Sequence, residues 1–241
     1  MKTMLDLPRL GPQPDDPFPS PDQALSVPNG LLAWGGDLHA ERLLAAYGDG
    51  IFPWYQEGQP ILWWSPAPRC VIFPGDIYLS RRTRRRYNSG RYEVTADRAF
   101  EDVIWECAQA REYDSGTWIT DDMVKAYVSL HRLGHAHSVE VWADTQLIGG
   151  IYGLAIGTVF FGESMFSRQV DASKIALIAL CKQLADWSFG LLDCQVSNPH
   201  LLRMGAVEIP RREFTARLSE LRPKPDLPGP WTEKFQTARR W

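Results

Sequence analysis

From Arg69 onward the apolar positions of the chain alternate between helical and strand-like periods, whereas before it they do not. Residues 1–30 carry Pro8, Pro12, Pro14, Pro17, Pro19, Pro21 and Pro28. That spacing predicts an extended arm, because proline fixes φ and removes a backbone donor. Leu43, Leu44 and Tyr47 share one face of a predicted helix over 40–47, ended by Gly48 or Gly50. The stretch IFPWYQEGQPILWWSPAPR, residues 51–69, is dense in proline and aromatic residues and predicts a rigid, aromatic-lined loop or short hairpin. A boundary near residue 68 divides a small N-terminal domain, 1–68, from a larger one, 69–241.

In the larger part, CVIFP reads as a strand and 99–110 as a helix, with Phe100, Val103, Ile104, Cys107 and Ala108 at helical spacing. A second helix spans 121–133 and stops at Gly134. The run from His137 to Ser167 gives three strands, turning at Asp144–Thr145 and near Gly157. A long apolar helix follows over 171–187, then a strand over 191–197 and a proline-rich tail from Arg222. An antiparallel meander, a long helix and one further strand predict an α+β chain whose C-terminal domain is of the N-acetyltransferase (GNAT) type.

Composition changes this picture little: 44% hydrophobic and 23% charged residues describe a globular protein. No apolar run is long enough to span a membrane. The N-terminal residues lack a continuous apolar stretch of the secretory kind, so a cytoplasmic protein is expected. Cys70, Cys107, Cys181 and Cys194 form no CxxC pair and read as reduced core thiols. Nothing forces a dimer, and a monomer is expected. Net charge is −3, yet Arg81, Arg82, Arg84, Arg85 and Arg86 cluster within SRRTRRR. Arginine forks suit phosphate oxygens, so this patch predicts a phosphate-rich partner.

The chemistry-bearing positions are unusual for a core. GTVFFGESMFS places Glu163 two residues after Phe161 in an apolar strand. An uncompensated buried charge costs several kcal/mol, so this carboxyl belongs at a rim or beside a partner. Asp193, Gln195 and Ser197 alternate along one strand and should share a face, with Cys194 and Val196 on the other. Such a polar line is either a hydrogen-bonded core network or the floor of a functional cleft. HRLGHAH resembles a zinc helix only in spacing: Gly134 interrupts it and the general-base Glu is absent, so no metal site is expected. No GxSxG elbow is present, which argues against a serine nucleophile. The turn SRQVDAS before the long helix has no glycine and carries Asp171, a poor cradle for the pyrophosphate of coenzyme A.

The runs NGLLAWGGDL, GIFPWY, ILWWSPAPR, GTWIT, LGHAHSVEVW, FGESMFSR, ASKIAL, LLDCQV and GAVEIPRREF, in this order over about residues 18–215, resemble the leucyl/phenylalanyl-tRNA–protein transferases. The resemblance implies an enzyme that needs no cofactor. It would move Leu or Phe, and Met less well, from aminoacyl-tRNA to the α-amine of proteins beginning with Arg or Lys, marking them for N-degron proteolysis. By motif, Trp54 and Trp118 would flank the 3′ adenosine. Ile151, Phe160, Phe161, Gly162, Ser164, Leu180 and Leu192 would surround the aminoacyl side chain. Asp193 and Gln195 match the family's catalytic pair, and Glu163 would meet a cation, either the aminoacyl ammonium or the acceptor N-terminus. The arginine patch would hold the tRNA acceptor stem. The final proton acceptor stays open among Asp193, Glu163, and water with the departing ribose oxygen. Many members of the family have Met at the position of Ile151 and Phe at that of Leu180. If Leu180 lines the donor pocket, a Leu donor should be favoured over Phe more than in those relatives. A CoA-dependent N-acetyltransferase and a non-catalytic tRNA-binding protein are the competing readings.

Overall fold

The structure, a computed structural model, describes residues 7–115, 118–225, 227 and 229–236, with backbone only for 111–115. Residues 1–6 of the predicted arm, Gly116 and Thr117 of GTWIT, and parts of the tail after Arg222 lie outside the described residues.

Among the described residues the strands form two sheets. The smaller holds β1 (Arg9–Leu10), β2 (Leu31–Gly35), β3 (Phe52–Pro53) and β4 (Leu62–Trp64) in the order β1-β2-β4-β3. Helix α1 (Ala40–Gly48) connects β2 to β3, one residue longer than its apolar face predicts. The proline-rich arm is anchored rather than extended throughout: β1 pairs in parallel with β2, the Trp34 backbone N–H donates to the Pro8 carbonyl, and a 3-10 turn forms over Pro21–Gln23. Sequence pattern did not mark β2, whose LLAWG run is too short to show a period.

The larger sheet begins with β5 (Arg69–Ile72). Then come α2 (Arg81–Tyr87), β6 (Glu93–Ala96), α3 (Phe100–Ser115), α4 (Asp121–Arg132), β7 (Ala136–Ala143), β8 (Gln146–Ile156) and β9 (Val159–Ser167). The chain continues through α5 (Ala172–Asp186), β10 (Leu191–Gln195), α6 (Pro199–Arg203), β11 (Val207–Ile209) and α7 (Arg211–Leu221). Strand order is β11-β5-β10-β9-β8-β7-β6, so the late strand β10 is inserted in the interior. Each predicted helix is present. Helix α3 runs five residues past its predicted end, through a segment with no apolar period to reveal it. Helix α4 is signalled at both ends: Thr120 caps Met123 N–H, Asp121 and Asp122 occupy the first turn, and His131 and Arg132 the last.

Core packing covers both faces of this sheet. On one face Tyr127, Leu154 and Phe161 join α3, α4, α1 and the smaller sheet in one apolar cluster. On the other, α5 packs with Ile151, Phe160 and the tail residues Trp231 and Phe235. Helix α5 is buried around most of its circumference because the sheet lies below it and the tail beside it. Gly149 permits that contact, since a Cβ there would lie 2.6 Å from the Ala172 Cβ.

Candidate active site

Two β-bulges open the site. Strands β9 and β10 pair in parallel only from Leu191–Asp193 to Val159–Phe161. Beyond that point β9 slips its register with β8, where Tyr152 meets Ser164 but Gly153 meets Gly162. Strand β10 slips against β5 between Asp193 and Gln195. An extra residue in each strand bends it, and the two strands part. Gly153 makes the first bulge possible, because a Cβ on it would lie 2.0 Å from the Phe161 carbonyl oxygen.

The parted strands bound a cleft of about 320 Å³. Its apolar wall includes Ile151, Met165, Leu177 and Leu192, and Trp54 and Trp118 also line it. Trp54 is 44% exposed and lies 5.6 Å, ring to ring, from Trp64 on the aromatic loop. The polar side is a network centred on Glu163. Its Oε1 accepts hydrogen bonds from the Tyr47 hydroxyl at 2.7 Å and from Gln195 Nε2 at 3.1 Å. The Tyr127 hydroxyl donates to Oε2 at 3.1 Å, and its oxygen lies close against that of Tyr47. Burial raises the Glu163 pKa from 4.5 to about 7, against the opposing effect of the two tyrosine hydrogen bonds. Both phenols stay protonated, since burial and the nearby carboxyl push their pKa values well up.

Asp193 stands beside this network but not in the cleft. It is fully buried, and Arg69 grips it bidentately, Nε to Oδ1 at 2.8 Å and Nη2 to Oδ2 at 2.7 Å. Its Oδ1 also accepts the backbone N–H of Gln195 at 3.0 Å. The polar line therefore does not share one face. The bulge rotates Gln195 into the cleft, the strand ends there, and the Ser197 hydroxyl turns to Glu208. Cys194 and Val196, expected on the opposite face, line the cleft as well. Cys194 is a free, half-buried thiol that packs against the core as well as lining the cleft; hydrogen bonding to Cys70 and burial hold it protonated, well above its ordinary pKa.

The predicted residues sort by place. Trp54, Trp118, Ile151, Gly162, Glu163, Ser164, Leu192 and Gln195 all reach the cleft. Phe160, Phe161 and Leu180 do not line it; all three are packed in the core. Phe160 faces Trp231, with ring centroids 5.8 Å apart, because alternation on β9 sends it to the α5 side. Phe161 faces the other way and supports Tyr47 at 5.2 Å. Leu180 points into the fully packed side of α5, and Leu177, one turn earlier, takes the place at the cleft. Glu163 meets hydroxyl and amide donors rather than a cation of this chain among the described residues. Sequence reasoning missed Arg69, Tyr47 and Tyr127; the signals available were an arginine opening a buried strand and tyrosines on otherwise apolar helix faces.

The arginine patch is helical, with Ser80 capping Thr83 N–H. Arg81, Arg82, Arg84 and Arg85 are exposed, while Arg86 is tied to Asp171 at 3.0 Å and to the Val170 carbonyl at 2.8 Å. Arg85 and Arg86 line a basic hollow with Arg91 and Arg168. His131 stacks on Phe100 and helix α4 ends before His135, so the two histidines do not share a helix face. No helix among the described residues is long and apolar enough to cross a membrane.

The parted strands of this α+β fold thus hold an apolar cleft beside a carboxyl–amide pair. Residues 71–219 match the family model described as leucyl/phenylalanyl-tRNA protein transferase, and 36–67 match that of its N-terminal domain. A relative in Nitrosomonas europaea, named leucyl/phenylalanyl-tRNA–protein transferase, is 52% identical over 221 residues, covering 92% of this chain and 94% of that one. Relatives of the same name in Stutzerimonas stutzeri and Shewanella baltica are 57% and 55% identical, covering 84% and 90% of this chain and 89% and 92% of theirs. Among solved structures, a GCN5-related N-acetyltransferase from Kribbella flavida aligns with a TM-score of 0.38 at 11% identity, covering 67% of this chain and 58% of that one. The chain belongs to the leucyl/phenylalanyl-tRNA–protein transferase family and is an aminoacyltransferase.

Proposed function

We propose that this enzyme transfers Leu or Phe, and Met less readily, from the 3′ ester of aminoacyl-tRNA to the α-amine of proteins beginning with Arg or Lys, which marks them for N-degron proteolysis. Residues 1–68 form the domain that brings Trp54 to the cleft, and 69–241 the catalytic domain. The observation that carries this reading is the placement of the Glu163 carboxyl, hydrogen-bonded to the Gln195 amide, at the edge of an apolar cleft.

The reaction is aminolysis of an activated ester, so positioning supplies much of the rate. Trp54 and Trp118 stack on the terminal adenosine, where each aromatic contact is worth about 1–3 kcal/mol. The apolar wall takes the aminoacyl side chain. With Gln195 Nε2 engaged by Glu163, its Oε1 remains to accept a hydrogen bond from the acceptor amine. The amine nitrogen forms a bond to the ester carbonyl carbon and its proton passes to the Glu163 carboxylate. Collapse of the tetrahedral adduct breaks the bond to the ribose 3′ oxygen, which takes that proton from Glu163. A general base with a pKa near the working pH suits this exchange. Asp193 is a weak candidate for the proton, because it is fully buried away from the cleft and paired with the Arg69 guanidinium.

A CoA-dependent reaction is disfavoured by the start of α5. There Asp171 is held by Arg86 and Lys174, and its carboxylate would face an incoming pyrophosphate. Incubation with labelled leucyl-tRNA or labelled acetyl-CoA and an acceptor peptide beginning with Arg tests all readings together. Label from leucyl-tRNA alone is expected; label from acetyl-CoA alone, or from neither, overturns the assignment.

A further inference from the structure

We infer that Arg69 is a positioning residue for the transfer reaction, holding Gln195 against Glu163 by way of Asp193. This rests on the role given above to Glu163 and Gln195.

Gln195 has φ +55°, a left-handed conformation that a non-glycine residue adopts only when its surroundings impose it. What imposes it is visible. The residue sits directly after a bulge, and its N–H is taken by Asp193 Oδ1. That oxygen is fixed in turn by Arg69 Nε, and its twin by Arg69 Nη2. The third guanidinium nitrogen, Nη1, donates to the Gly50 carbonyl at 3.0 Å. The plane lies between the rings of Phe52, at 5.0 Å, and Phe214, at 4.5 Å. Every nitrogen of the fork is thus committed, and the side chain is fully buried. A rigid fork can pin a carboxylate in one orientation; an ammonium, whose rotatable donors share one nitrogen, does not fix the carboxylate plane.

Stability alone is a poor account of this pair. Buried ion pairs often contribute little net stability, since desolvation offsets their attraction. The pair is instead placed where it sets a backbone conformation, and that conformation delivers the Gln195 amide to Glu163. Facing Glu163 are the Tyr47 hydroxyl from α1, the Tyr127 hydroxyl from α4 and the Gln195 amide from β10, with the charges of Asp193 and Arg69 behind them. Loss of the amide donor would raise the pH at which Glu163 ionises, because hydrogen bonds from Gln195 and the tyrosines favour its charged form.

The test uses the full-length protein with Arg69→Lys, which keeps the charge and loses the fork. Two readouts are taken: steady-state transfer from leucyl-tRNA to an Arg-N-terminal peptide, and titration of the Glu163 carboxyl carbon by NMR without substrate. The expected result is at least a tenfold fall in kcat, a KM for leucyl-tRNA within twofold of wild type, and a Glu163 midpoint at least half a pH unit higher. Should Arg69→Lys fail to fold, the double variant Arg69→Met with Asp193→Asn removes both charges at near-constant volume. Their opposing effects on Glu163 then cancel, and the same two changes, with KM again near wild type, are expected. A folded variant with wild-type kcat and an unmoved Glu163 midpoint overturns the inference. A wild-type enzyme that transfers nothing from leucyl-tRNA overturns the proposed function instead, and the NMR midpoint still decides the role of Arg69.

Discussion

Gln195 Nε2 donates to Glu163 Oε1 at 3.1 Å, joining two residues that lie 32 positions apart in the chain and next to separate bulges in neighbouring strands. Each stands beside one inserted residue; on the proposed mechanism the cost of that irregularity falls on the fold and its benefit on the reaction.

Glu163→Gln makes this trade measurable. Burial lifts the Glu163 pKa from 4.5 to about 7, so the folded state disfavours the carboxylate. Below pH 4.5 the group is protonated whether folded or unfolded, and no penalty exists. From pH 4.5 to 7 the unfolded chain gives up this proton while the folded one keeps it, so stability falls across that window by up to about 3 kcal/mol and no further above it. The variant should therefore melt near the wild-type temperature at pH 5 and above it at pH 8. Its kcat should fall about 100-fold or more, and the acid limb near pH 7 should vanish from the pH–rate profile. Equal wild-type and variant melting temperatures at both pH values would contradict the burial of this charge.

Tyr47→Phe and Tyr127→Phe each remove a donor to Glu163 while keeping the ring that packs on Phe161 or Tyr152. A hydrogen bond to a charged group contributes about 1.5–3 kcal/mol. The acid limb of kcat/KM should move upward by about one pH unit in each variant, with unchanged rates on the alkaline side. An acid limb that stays in place would show that the tyrosines do not tune this carboxyl.

The exposed arginines should behave differently from Arg86. Each lost phosphate contact flattens the salt dependence of binding, by just under one in the log–log slope. Arg84→Ala and Arg85→Ala should therefore weaken leucyl- and phenylalanyl-tRNA alike and reduce that slope. Arg86 is already spent on Asp171 and the Val170 carbonyl, so Arg86→Ala should alter the slope less and the melting temperature more. Filter-binding titrations between 50 and 300 mM salt, values chosen to span about a factor of two in Debye length, would separate the two behaviours. Identical slopes for all variants and wild type would assign the patch to another role.

Legibility from sequence followed the physics of periodicity. Helices α1 and α4 have one apolar face and clear terminal signals, and their ends fall within a residue of expectation. The carboxyl and amide of the site were also legible, because polar residues inside apolar strands need a reason. What could not be read was direction. Strict alternation put Cys194 and Val196 on the wrong face, since an inserted residue leaves no mark in composition. Tyr47 fits an apolar helix face by its ring, and periodicity says nothing of where its hydroxyl points. Arg69 looked like the end of a proline-rich loop rather than the buried first residue of β5.

Helix α5 poses the same difficulty, and donor choice is where it matters. Buried on nearly all sides, the helix gives no sequence signal for which leucine faces the substrate. Leu180 is fully packed among core side chains, and Leu177 lines the cleft. Leu180→Phe would force a ring into an occupied core, at a cost of about 1–3 kcal/mol in stability. It should leave the ratio of kcat/KM for leucyl-tRNA over phenylalanyl-tRNA unchanged, contrary to the expectation from family pattern alone. Leu177→Ala removes three carbons from the cleft wall instead. A Leu donor then loses contact worth about 1–2 kcal/mol, while the larger Phe ring can extend into the vacated space. The ratio should fall about tenfold toward Phe. Stopped-time transfer assays with both donors on wild type and the two variants decide the matter. A changed ratio in Leu180→Phe together with an unchanged one in Leu177→Ala would place the donor side chain on the other flank of α5.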